Sequence, residues 1–219
     1  MSITLEEIVL NELNGKNNWI DLCMNQKLSE EIIDEFENKV DWSLISVFQN
    51  LSEKFIKKHK DKIYWKDISR FQNLSESFIE QFANKLDWDK ISEFQVLSEQ
   101  FIEKFEHRVE WDLISIRQNI SESFIEKYSN KVNWKYISIY QELSENFIRN
   151  NKNKIYWNKV SMYQTLSEPF IEEFENHVNW YAIFKYQKVS KEFIKKHKDK
   201  VDNDLIRNKY ILDIINEEW

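Results

Sequence analysis

The chain has 219 residues, of which 42% are hydrophobic and 15% aromatic, a composition that can build a packed core and argues against disorder of the whole chain. Its one glycine and one proline, Gly15 and Pro169, are too few for the turns of a β-sandwich or the phosphate loop of a nucleotide-binding α/β fold. A net charge of −7 argues against a surface devoted as a whole to nucleic acid.

The same composition predicts a soluble, intracellular protein. Cys23 is the single cysteine, so it cannot form an internal disulfide. The N-terminal residues include Glu6, Glu7 and Glu12 and lack the basic-then-apolar order of a secretion signal, so we expect no signal peptide. No stretch approaches the roughly 18 consecutive apolar residues of a membrane-spanning helix, so we expect no membrane association.

From its N-terminus onward the sequence repeats with a strict period. Tryptophan marks the period at Trp19, Trp42, Trp65, Trp88, Trp111, Trp134, Trp157 and Trp180. Glutamine follows each tryptophan seven residues later, at Gln26, Gln49, Gln72, Gln95, Gln118, Gln141, Gln164 and Gln187. This 23-residue period predicts a tandem repeat array.

We expect a single repeat domain over residues 1–219. A divergent repeat occupies residues 5–27, regular repeats fill 28–188, and a divergent repeat at 189–211 precedes a tail at 212–219. Degenerate end repeats are typical of capping units. The last repeat has Asn203 where the others have tryptophan, so the pattern does not predict its second helix.

A regular repeat reads Leu-Ser-Glu-x-Phe-Ile-x-x-Phe-x-Asn-Lys-Val-Asp-Trp-x-x-Ile-Ser-x-Tyr-Gln-x, and we number its positions 1 to 23. Apolar residues at positions 1, 5, 6 and 9, then 13, 15, 18 and 21, have the three- and four-residue spacing of helices. Ser98 at position 2 and Asp41 at position 14 are good N-caps for a first and a second helix. The sequence therefore predicts an all-α fold, an α-solenoid of two-helix repeats with degenerate capping repeats.

The ends of the helices give further predictions. Position 11 holds mostly asparagine, aspartate or glycine, which tolerate left-handed backbone conformation, so we expect the first helix to end there. Tyr64, Glu110 and Tyr156 replace the usual cap at position 14 and should anchor their helices less well. A leucine-rich horseshoe is the competing architecture, but no repeat has its Leu-x-Leu strand step.

Repeats such as LSEQFIEKFEHRVEWDLISIRQN and ISESFIEKYSNKVNWKYISIYQE resemble short repeats found in many proteins of amoeba-infecting giant DNA viruses. The resemblance covers nearly the whole chain, because Ser-Glu, Phe-Ile, Trp, Ile-Ser and Gln recur at fixed offsets. It implies an expanded set of repeat proteins without an assigned activity, and host cytoplasm as the compartment. It supplies no functional residues.

The residues that carry chemistry do not form a recognisable motif. The four histidines, His59, His107, His177 and His197, have no histidine or cysteine at metal-ligand spacing, and zinc sites need three or four ligands. Cys23 stands alone, and helix capping explains many of the serines. We therefore expect no enzyme, no catalytic residue, no metal and no cofactor.

The recurring tryptophans at position 15 and glutamines at position 22 each have two interpretations. The tryptophans could form an aromatic binding platform, but their spacing favours rings packed between helices. The glutamines could bind a ligand. A ladder in which each amide bonds backbone groups at the turn into the next repeat is favoured instead, because buried amides usually satisfy the chain itself.

In a repeat array, binding specificity resides at the positions whose residue differs from one repeat to the next. We expect positions 17 and 20 of the second helix to face outward, where they form an apolar stripe of Leu113, Ile116, Tyr136, Ile139 and Met162. An exposed apolar stripe indicates an interaction site, so binding of a protein partner is the predicted function. The alternative is that this helix is more buried than the periodicity suggests.

A second candidate surface is basic. Lys57, Lys58, Lys195 and Lys196 lie on first helices, and residues 51–73 hold seven basic and three acidic residues. This patch could bind nucleic acid electrostatically, although pairing with neighbouring acidic repeats is favoured. Self-association as a structural protein is the third alternative, and the sequence does not predict an oligomeric state.

Overall fold

A computed structural model of the protein describes residues 4–15, 18–201, 211 and 214. Up to residue 201 the described chain forms 17 α-helices and one short 3-10 helix at Lys198–Lys200, and no strand lies among the described residues. The all-α prediction is therefore confirmed. Most of the predicted tail 212–219 and most of the second half of the repeat 189–211 lie outside the described residues.

The helices alternate between two kinds, and each kind recurs with the period of the sequence. The first helices of the repeats are α1 (Leu5–Leu13), α3 (Glu30–Glu35), α5 (Glu53–Lys58), α7 (Glu76–Gln81), α9 (Glu99–Lys104), α11 (Glu122–Lys127), α13 (Glu145–Asn150), α15 (Glu168–Glu173) and α17 (Lys191–Lys196). The second helices are α2 (Trp19–Asn25), α4 (Trp42–Phe48), α6 (Trp65–Phe71), α8 (Trp88–Phe94), α10 (Trp111–Arg117), α12 (Trp134–Tyr140), α14 (Trp157–Tyr163) and α16 (Trp180–Tyr186).

Both kinds of helix begin at the predicted caps. The Ser98 hydroxyl accepts a hydrogen bond from the backbone N–H of Phe101 at 3.2 Å at the start of α9. The Asp41 carboxylate accepts from two backbone N–H groups at the start of α4. Tyr64 and Tyr156 provide no side-chain cap bond, which confirms that they are poorer caps.

The end of the first helix differs from the prediction. Position 11 is not left-handed in the regular repeats, because Gly15, with φ 62°, is the only residue with positive φ in the described part of the chain. Helix α9 ends at Lys104, and the carbonyl of Phe105 accepts from the N–H groups of Arg108 and Val109. A right-handed turn therefore ends the helix before position 11 is reached.

The core between repeats is apolar and aromatic. The isoleucines at positions 6 and 18, such as Ile79 and Ile91, are fully buried. The Trp88 ring packs on two rings of the following repeat, those of Phe101 and Phe105, with centroid distances of 6.4 and 5.0 Å. The tryptophans thus pack between helices, as predicted.

Polar ladders fix how one repeat sits on the next. The carboxylate of Glu53 accepts from the backbone N–H of Ser75, one repeat further on, at 2.7 Å. The Ser69 hydroxyl accepts from the backbone N–H of Asp87 at 3.0 Å. Because these bonds use the repeated serine and glutamate positions, the register of stacking does not depend on the variable exposed positions.

The helices are distributed over two compact units, Met1–Glu110 and Trp111–Trp219. Within the first unit α2, α4, α6 and α8 pack one on the next, and within the second unit α10, α12, α14 and α16 do the same. Each unit is a solenoid of stacked two-helix repeats. The single domain over residues 1–219 stays a prediction.

Candidate binding groove

A ladder of buried glutamines runs beneath the ends of the second helices. In the second unit the Gln164 amide donates to the carbonyls of Gln141 at 2.8 Å and Ser138 at 3.2 Å. Its oxygen accepts from the N–H of Leu143 at 3.0 Å. This confirms a backbone ladder, but the predicted direction is wrong: the amide bonds the turn from the preceding repeat and not the turn into the next one. Because both amide hydrogens are used, the glutamine serves the fold rather than a ligand.

Exposed tyrosines stand beside this ladder. Tyr140, Tyr163 and Tyr186 occupy position 21 of three successive repeats and are 55, 54 and 48% exposed, although position 21 belongs to the apolar pattern. The reason lies two residues earlier. The serine at position 19 of α12 and α14 is fully buried, as Ser138 shows, and Phe184 at position 19 of α16 is buried too, so the buried face is centred between positions 18 and 19. At about 100° per residue, position 21 then lies about 110° from that centre.

The residues of the predicted apolar stripe are half-buried rather than fully outward-facing. This holds for all of them: Leu113, Ile116, Tyr136, Ile139 and Met162. A helical wheel places positions 17 and 20 farthest from the core, but it ignores the side-by-side packing of one second helix on the next. The prediction that the stripe faces fully outward is therefore wrong, and the alternative of a more buried helix is partly correct.

Most of the stripe residues lie against the exposed tyrosines or the clefts beside them. The Tyr136 ring lies 6.3 Å from that of Tyr140 on the same helix, measured between centroids. Ile116, Ile139 and Met162 each line a cleft that also contains a tyrosine of position 21. The sequence pattern thus predicted the neighbourhood of the clefts but not its most exposed side chains.

Three clefts of the second unit follow one another between the ends of successive second helices. They measure about 270, 450 and 250 Å³ in chain order. Each is lined by the residue at position 20 of one repeat, the glutamines of two repeats and the tyrosine of the following repeat. We call these clefts, with Tyr140, Tyr163 and Tyr186, the tyrosine groove.

Three charged side chains line the tyrosine groove and have no ion pair or side-chain hydrogen bond with the described residues. Arg117 lines the first cleft, Glu142 lines the first and second, and Lys188 lines the third. The charges therefore run positive, negative, positive along the groove. Such charges beside exposed rings are available to a partner.

The first unit has phenylalanine where the second has tyrosine. Phe48, Phe71 and Phe94 are 49, 44 and 41% exposed at position 21, and Phe48 lines a cleft of about 290 Å³. The Arg70 guanidinium lies 4.9 Å from the Phe71 ring centroid and 5.0 Å from that of Phe94. One cation thus covers two neighbouring rings, so these two are less open than the tyrosines.

Lysines also approach two rings of the tyrosine groove. The ammonium of Lys159 lies 6.0 Å from the centroid of Tyr163, and that of Lys185 lies 5.3 Å from the centroid of Tyr186. Each lysine belongs to the same helix as its tyrosine and meets one ring of the groove only. About half of each tyrosine side chain therefore remains open to solvent.

The predicted basic patch is largely engaged in contacts between repeats. The ammonium of Lys58 lies 2.7 Å from the Asp34 carboxylate, and that of Lys196 lies 2.7 Å from Glu172. The other two lysines are also in contact with the protein: Lys57 lies 5.5 Å from the centroid of the Phe78 ring, and Lys195 is half-buried. The favoured alternative, charge pairing with acidic neighbours, therefore describes Lys58 and Lys196.

These pairs shift the ionisation of the carboxylates. The hydrogen bond from Lys58, and then that with the buried His59 ring 2.6 Å away, hold the pKa of Asp34 below its usual range. Lys196 and His197, in that order, lower the pKa of Glu172 in the same way. Both imidazoles also pack on a tryptophan of the preceding repeat, with centroids 4.8 Å apart, so they belong to the repeat packing.

The described part of the chain contains no group of three or more His, Cys, Asp or Glu residues that could hold a metal ion. None of the helices within it is both long and apolar enough to cross a membrane. No protein-family model, curated protein or solved structure matches the chain.

Proposed function

We propose that this protein is a non-enzymatic binding protein that holds a polypeptide partner in the tyrosine groove. The observation that carries the proposal is the repetition of one exposed tyrosine at the same position of α12, α14 and α16. A row of large exposed rings on regular helices is typical of an interaction surface rather than of a solvated face.

Tyrosine suits this role for physical reasons. Its ring supplies a large contact area, two rotatable bonds limit the entropy lost on binding, and its hydroxyl can donate to a partner carbonyl. The half-buried Ile139 and Met162 add apolar walls beside the rings. Three clefts in a row favour a chain-like partner over a single compact molecule.

The groove is also preorganised. Gln141 and Gln164 each bond three backbone groups, so the backbone that carries the tyrosines is tied to the preceding repeat. A partner that binds a fixed surface does not have to order it first. This supports recognition by shape as well as by apolar contact.

The source of the partner is part of the proposal. The resemblance to repeat proteins of giant viruses, together with the single cysteine, supports an intracellular protein whose partner is a host-cell polypeptide. A short peptide is nevertheless a better first probe than a host protein, because it tests the tyrosine groove before the partner is identified.

The proposal is tested by selecting binders to the full chain from a random-peptide display library. Selected peptides should lose about tenfold or more of their affinity for Tyr163→Ala. Tyr156→Ala is the matched control, because Tyr156 is 51% exposed at the N-cap of the same helix and lines none of the three clefts. Failure to enrich any peptide, or equal losses in the two variants, would overturn the proposal.

A further inference from the structure

We infer that the tyrosine groove takes an extended polyproline-II segment with a proline at every third residue. The inference rests on the proposed function and names the class of polypeptide. Its basis is the match between the spacing of the repeats, the chemistry of the rings and the order of the free charges.

The repeat spacing matches one turn of a polyproline-II helix. Helices α12, α14 and α16 pack directly one on the next, and packed helices lie about 8–10 Å apart. A polyproline-II helix has three residues per turn and rises about 3.1 Å per residue, so one turn spans about 9 Å. Each repeat can therefore meet the same face of such a segment once per turn.

The chemistry of the groove fits the same ligand. Aromatic-lined grooves bind proline-rich segments, whose rings pack against exposed aromatic side chains. A polyproline-II segment makes no internal hydrogen bonds, so its carbonyls can accept from the hydroxyls of Tyr140, Tyr163 and Tyr186. The tyrosines thus offer both kinds of contact that the segment needs.

Other peptide conformations fit less well. No strand lies among the residues that the structure describes, so an added β-strand would find no sheet edge there. A docked helix needs a continuous apolar groove, whereas Glu142, Thr165 and Lys188 interrupt this one. An extended chain can place a side chain beside each of these residues in turn.

The unpaired charged side chains of the groove predict the order of acidic and basic residues along the ligand. Arg117 and Glu142 belong to adjacent repeats, and Glu142 and Lys188 are two repeats apart. At one turn per repeat, the complementary segment carries an acidic residue, a basic residue about three residues away and a second acidic residue about six residues beyond it. A nucleic-acid strand would instead bring phosphates past Glu142, which is unfavourable.

The test measures binding of synthetic peptides of about 12 residues to the full chain by fluorescence anisotropy. The first probe has proline at every third residue, aspartate at the first and tenth residues and lysine at the fourth. A second probe has lysine at the seventh residue instead, which gives the charge order for a segment that runs the other way. The control peptide has the same composition with its prolines off the three-residue period.

We expect one of the two probes to bind about tenfold more tightly than the control peptide, and to lose that advantage on Tyr163→Ala but not on Tyr156→Ala. Glu142→Lys should weaken the same probe. Equal affinities of the probes and the control peptide would contradict the inference. It would also be contradicted if single-stranded DNA bound more tightly than the probes and lost affinity on Tyr163→Ala. If library peptides bind the groove but proline-rich ones do not, the inference fails while the proposed function stands.

Discussion

The side chain of Gln164 donates to the backbone carbonyl of Gln141 across 2.8 Å, so this glutamine is bonded to the glutamine position of the repeat before it. The same bond recurs from Gln187 to Gln164 and from Gln141 to Gln118. Each glutamine side chain is thus bonded to the backbone of the glutamine one repeat earlier, and this series of bonds holds in place the helix ends that carry the tyrosine groove. Replacing one of these glutamines should therefore lower the free energy of unfolding.

Gln164→Glu should destabilise the protein by about 3 kcal/mol or more, because a carboxylate cannot donate to the two carbonyls and is itself buried. Urea unfolding followed by circular dichroism measures the loss. Thr165→Glu is the control, since Thr165 is the exposed neighbour and the preceding repeat already has a glutamate at that position, Glu142. Equal stability of the two variants would show that the ladder bonds contribute nothing.

The cap of α14 can be repaired. Tyr156→Asp introduces a carboxylate at the position where Asp41 accepts two N–H groups, and it should be more stable than Tyr156→Ala by about 1 kcal/mol. Comparing aspartate with alanine removes the effect of losing the tyrosine ring. Thermal unfolding measures the difference, and an alanine variant as stable as the aspartate variant would contradict the role of the cap.

Asp34 should make stability depend on pH. Lys58 and His59 lower the pKa of Asp34 below its unfolded value, so its contribution is present above the unfolded pKa and is lost as pH falls through the folded pKa. Asp34→Asn should therefore destabilise the protein at about pH 7, by a few tenths to about 1 kcal/mol as for an exposed pair, and have little effect near pH 2.

Denaturant unfolding at several pH values checks this dependence. Glu35→Gln is the control, because Glu35 is the exposed neighbour on the same helix and forms no ion pair with the residues that the structure describes. An Asp34→Asn effect that persists at the lowest pH would mean that the carboxylate charge is not its cause.

Much of the fold could be predicted from the sequence because local rules decide it. Serine at position 2 and aspartate at position 14 cap helices through their own neighbouring backbone, as Ser98 and Asp41 do. The 23-residue period then extends that local result along the chain. The glutamine ladder was predictable because a polar residue kept at one register of a packed array needs partners.

The groove was harder to predict because it depends on packing between repeats. Ser138 at position 19 is fully buried, where its hydroxyl donates to the Trp134 carbonyl and accepts from the Tyr156 N–H of the next repeat. Its burial shifts the inner face of the helix and leaves Tyr140 exposed. The recurring serine beside position 18 was the signal that could have located the tyrosines, but hydropathy alone treats it as a surface residue.

Site-specific photo-crosslinking tests the central claim most directly. A photoreactive phenylalanine analogue is placed at Tyr163, and separately at Tyr156, in the full chain and irradiated with the peptides selected from the library. We expect abundant adducts from position 163 and few from position 156, because only the former lines the tyrosine groove. Adducts formed equally at both positions, or mainly at 156, would contradict a binding site in the groove.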